Sequence, residues 1–61
     1  MKPTCKLIGE DTNIFNLIGK ASKALKNSGL KEEAIKMTEE CFKAESFDGA
    51  LRIIMKYVDV E

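Results

Sequence analysis

The sequence predicts a mainly α fold: one compact three-helix domain whose two chain ends are short and extended. Three observations carry this. Three amphipathic stretches with helical spacing fill most of residues 13–57. Ser28-Gly29 and Glu45-Ser46 separate them with stop and start signals. The ends, Thr4–Ile8 and Val58–Val60, alternate apolar and polar residues instead.

Thr4–Ile8 lies between Pro3 and Gly9 and reads as a strand. Gly9–Asn13 is a turn, and Asp11, Thr12 or Asn13 can cap the free amides of a following helix. That helix is expected over Ile14–Asn27. At 100° per residue, Leu17, Ala21, Leu25, Ile14 and Ile18 centre its apolar half, with Phe15 and Ser22 at the margin. Its polar half holds Asn16, Gly19, Lys20, Lys23, Lys26 and Asn27. Gly29 ends it, because glycine takes the left-handed backbone common just past a helix. Leu30 is placed to fold back onto the last turn.

A second helix is expected over Lys31–Ala44. Glu32 and Glu33 suit the positive end of its dipole. Met37, Cys41, Ala34 and Thr38 lead its apolar half, with Phe42 and Ile35 beyond them. Glu32 with Lys36 and Glu39 with Lys43 form favourable pairs four apart on the solvent half. Ser46 caps a third helix over Phe47–Tyr57. Its apolar arc, centred on Ala50, Leu51, Ile54 and Tyr57, spans more than half the circumference, with Ile53 and Met55 at opposite margins. Asp59 at the negative end of a helix is unfavourable, so the chain is expected to turn extended at Val58–Val60. Thr4–Ile8 is the candidate strand partner, and a lone two-strand pair needs helices behind it.

Sixty-one residues make a single domain, 1–61, of marginal stability. Ten basic and ten acidic side chains cancel, whereas a general polyanion binder carries a basic excess. The N-terminal residues lack the apolar run of a signal peptide, and no stretch approaches the ~20 apolar residues of a membrane span. The expectation is a cytoplasmic protein with no membrane contact. Cys5 and Cys41 then read as reduced, buried thiols.

The absent chemistries exclude most enzymes. Histidine is missing, and with it the commonest general base and metal ligand. Two cysteines cannot build a four-ligand zinc site. Gly9, Gly19, Gly29 and Gly49 open no phosphate loop. Glu32-Glu33 and Glu39-Glu40 lie among lysines on a solvent face. So short a chain is also expected to lack a pocket of ~300 Å³ or more. No catalytic residue, cofactor or metal is therefore assigned.

Two segments, CKLIGEDTNIFNLIGKA (Cys5–Ala21) running on to Gly29, and SFDGALRIIMKYV (Ser46–Val58), together resemble a family of short bacterial proteins of phage and mobile-element neighbourhoods. The resemblance spans most of the chain. Its motifs are turns, caps and a glycine stop, so it implies an accessory or regulatory role and supplies no functional residue.

Two functions follow as expectations. The first is an interaction module that pairs with itself or with another protein. Gly19 offers a close-approach point on the first helix, for the N-terminal segment or for a partner. Ile53 and Met55 offer an apolar margin on the third, with Arg52 and Lys56 as its rim. The second is weak, sequence-independent nucleic-acid binding through Lys20, Lys23 and Lys26. The third helix has few side chains suited to reading bases, which argues against sequence-specific recognition.

Overall fold

The computed structural model describes residues 2–7 and 13–61. In chain order the elements are β1 (Thr4–Cys5), α1 (Ile14–Asn27), α2 (Lys31–Lys43), α3 (Phe47–Tyr57) and β2 (Asp59–Val60). The three-helix domain with paired ends expected from the sequence is what the structure has.

The boundaries follow the local chemistry. Asn13 caps α1, its side chain accepting from the Phe15 amide at 2.9 Å. The alternative caps Asp11 and Thr12 lie outside the described residues, as does Ile8. Gly29 takes φ +78°, the left-handed value that ends α1, and the Leu30 amide donates back to the Leu25 carbonyl at 2.8 Å. Leu30 itself packs, partly buried, against the core. Helix α2 stops at Lys43, one residue before the expected end, because Ala44 turns to an extended backbone. Ser46 caps α3, with its hydroxyl oxygen accepting from the Gly49 amide at 3.0 Å.

The ends pair in parallel, Thr4 beside Asp59 and Cys5 beside Val60. Parallel pairing suits ends joined through a long helical connection. The two strands are shorter than the sequence suggests, but the pairing runs on past them: the Leu7 amide donates to the Glu61 carbonyl at 2.7 Å. The expected alternation holds at the N-terminal end. Cys5 and Leu7 are buried, while Thr4 and Lys6 are exposed. Lys2 offsets the poor placement of Asp59. Its Nζ donates to the Met55 carbonyl in the last turn of α3 at 2.8 Å and lies 3.6 Å from Asp59.

The core gathers one stripe from each helix and the buried side of the paired ends. Leu25, Met37, Ile54 and Val58 are its largest fully enclosed side chains. Ala21 and Ala34 are also fully enclosed, and their small size lets the helices approach closely.

Candidate interaction face between the first two helices

Phe15 at the start of α1 meets Phe42 at the end of α2, ring centroids 6.0 Å apart and tilted by 42°. The short connection at residues 28–30 joins the opposite ends, so α1 and α2 run antiparallel. Helix α3 and the paired ends help to bury the stripes represented by Leu25 and Met37. The outer edges of the α1 and α2 stripes remain open.

Those edges form a trough of about 500 Å³. Phe15, Ile35 and Phe42 wall it, Gly19, Ser22 and Thr38 leave it room, and Lys26 and Glu39 supply charge at its margin. A smaller hollow of about 260 Å³ continues past Phe15 and Phe42 to Phe47. Phe15 and Phe42 are each 64% exposed. Among the described residues, four of the five exposed large apolar side chains (Phe15, Ile35, Phe42 and Phe47) border these two hollows. These side chains form one exposed apolar patch across the two hollows.

The sequence leads to an expectation of no pocket of ~300 Å³ or more, and the trough exceeds that volume because it is an open furrow between two helices and takes no space from the core. Its signal was in the sequence, because Phe15, Ile35 and Phe42 stand at the margins of their stripes, where a third packing helix does not reach.

The residues singled out by the sequence fall in different places. Gly19 lines the trough, and a Cβ built on it meets nothing within 4 Å. Among the described residues, Pro3 to Leu7 of the N-terminal segment make no close approach there. Ile53 is partly buried and packs against the core, while Met55 is half exposed. Lys56 sits 3.4 Å from Glu40, and Arg52 is exposed. Met55 stands apart from both hollows. The three α1 lysines are spread over the helix surface: Lys26 borders the trough, whereas the charge of Lys20 acts on the Cys5 thiol.

The ionisable groups show structural couplings. Tyr57 Oη donates to Glu40 Oε2, tying α3 to α2. This bond holds the Glu40 carboxyl below its ordinary range and pushes Tyr57 up to about 12. Cys5 and Cys41 are free and buried, and burial raises both thiols, so neither is an activated nucleophile. Cys41 Sγ makes a weak donor contact to the Ala50 carbonyl at 3.7 Å. Among the described residues no helix is long and apolar enough to cross a membrane, and no three His, Cys, Asp or Glu side chains are grouped to hold a metal ion.

Comparisons with family models, curated proteins and solved structures found no match. No relative's chemistry therefore bears on this face.

Proposed function

We propose that this chain is a small non-enzymatic interaction module whose working surface is the apolar face between α1 and α2. One observation carries the reading: two phenylalanines at 64% exposure stand over an open trough, with Ile35 and Phe47 exposed beside them. Leaving such rings in water forgoes roughly 1–2 kcal/mol each relative to full burial, which a partner recovers. The lining supports contact and not catalysis. Lys26 and Glu39 are the ionisable groups that line the main trough, and apolar side chains make up most of its walls. Free buried thiols fit a reducing, cytoplasmic setting. The mobile-element resemblance fits an accessory role.

Affinity capture from a bacterial lysate tests the reading, with wild type and an Ile35→Ser/Phe42→Ser double variant as baits. Both positions are exposed, and the helical circular dichroism of each bait is compared first so that only folded protein is used. A protein held by the wild type and lost from the variant is expected. Identical captures from both baits would rule this face out as the working surface.

A further inference from the structure

We draw no further inference here: the strongest candidate, the open apolar trough between α1 and α2 walled by Phe15, Ile35 and Phe42, carries nothing further because nothing in the structure shows what covers it.

Discussion

Truncating Phe42 to alanine should cost this protein little, and the size of that cost tests whether the trough is open. An enclosed phenylalanine loses about 3–5 kcal/mol on truncation. Phe42 is 64% exposed, so about a third of its surface is buried, and the same scaling gives ~1–2 kcal/mol. The tilted contact with Phe15 is part of that figure. A domain of this size has about 3–5 kcal/mol to lose, so Phe42→Ala should remain folded. Met37, five residues earlier on α2, is fully enclosed, and Met37→Ala should cost about 2–5 kcal/mol and leave a substantial unfolded population. Urea titrations followed by helical circular dichroism, on protein dilute enough to be monomeric, compare the two. A loss of about 3 kcal/mol or more for Phe42→Ala would refute the reasoning, because the ring would then be enclosed and the face closed.

Ile54→Ala should be as damaging as Met37→Ala, since Ile54 is fully enclosed on α3; a melting temperature within a few degrees of wild type would contradict its central place. Gly29→Ala should destabilise by about 1 kcal/mol through the left-handed backbone at φ +78°, read as a shift in urea midpoint at unchanged slope. The Tyr57–Glu40 bond gives two pH limbs. Glu40 titrates below its ordinary value when folded, so its contribution is present above that value and is lost as pH falls through the folded one. Tyr57 is raised from 10.0 to about 12, so its contribution is present below pH 10 and is lost as pH rises towards 12. Tyr57→Phe should flatten both limbs in urea midpoints measured against pH. Duplex DNA titrated at two salt concentrations should show no binding near about 0.15 M salt; binding with a log–log slope of about −2.7 would instead assign three phosphate contacts to Lys20, Lys23 and Lys26.

Element order and caps were legible in the sequence because they depend on local chemistry. Gly29, Asn13 and Ser46 act within one turn of where they sit. The two extended ends were visible as alternation around Cys5 and Val58, but the parallel register needed the spatial path of all three helices. The open face between α1 and α2 was harder to locate. Helical spacing ranks Phe15, Ile35 and Phe42 as apolar-margin residues, and so it ranks Ile53 and Met55 on α3. Periodicity gives each helix its own arc. It does not say which margin a neighbouring element covers. In the fold Ile53 packs against the core, whereas the margins of α1 and α2 meet each other along a furrow that nothing covers among the described residues. The position of Gly19 beside that furrow was likewise hidden, because a helix wheel places it on the polar half.

The most direct measurement of the central claim is the solvent exposure of the face between α1 and α2, read from the relaxation that a dissolved paramagnetic probe adds to side-chain NMR signals of the purified protein. Phe15, Ile35 and Phe42 should relax strongly, while Leu25, Met37 and Ile54 stay shielded. Phe15, Ile35 and Phe42 shielded as well as those core residues would contradict the account.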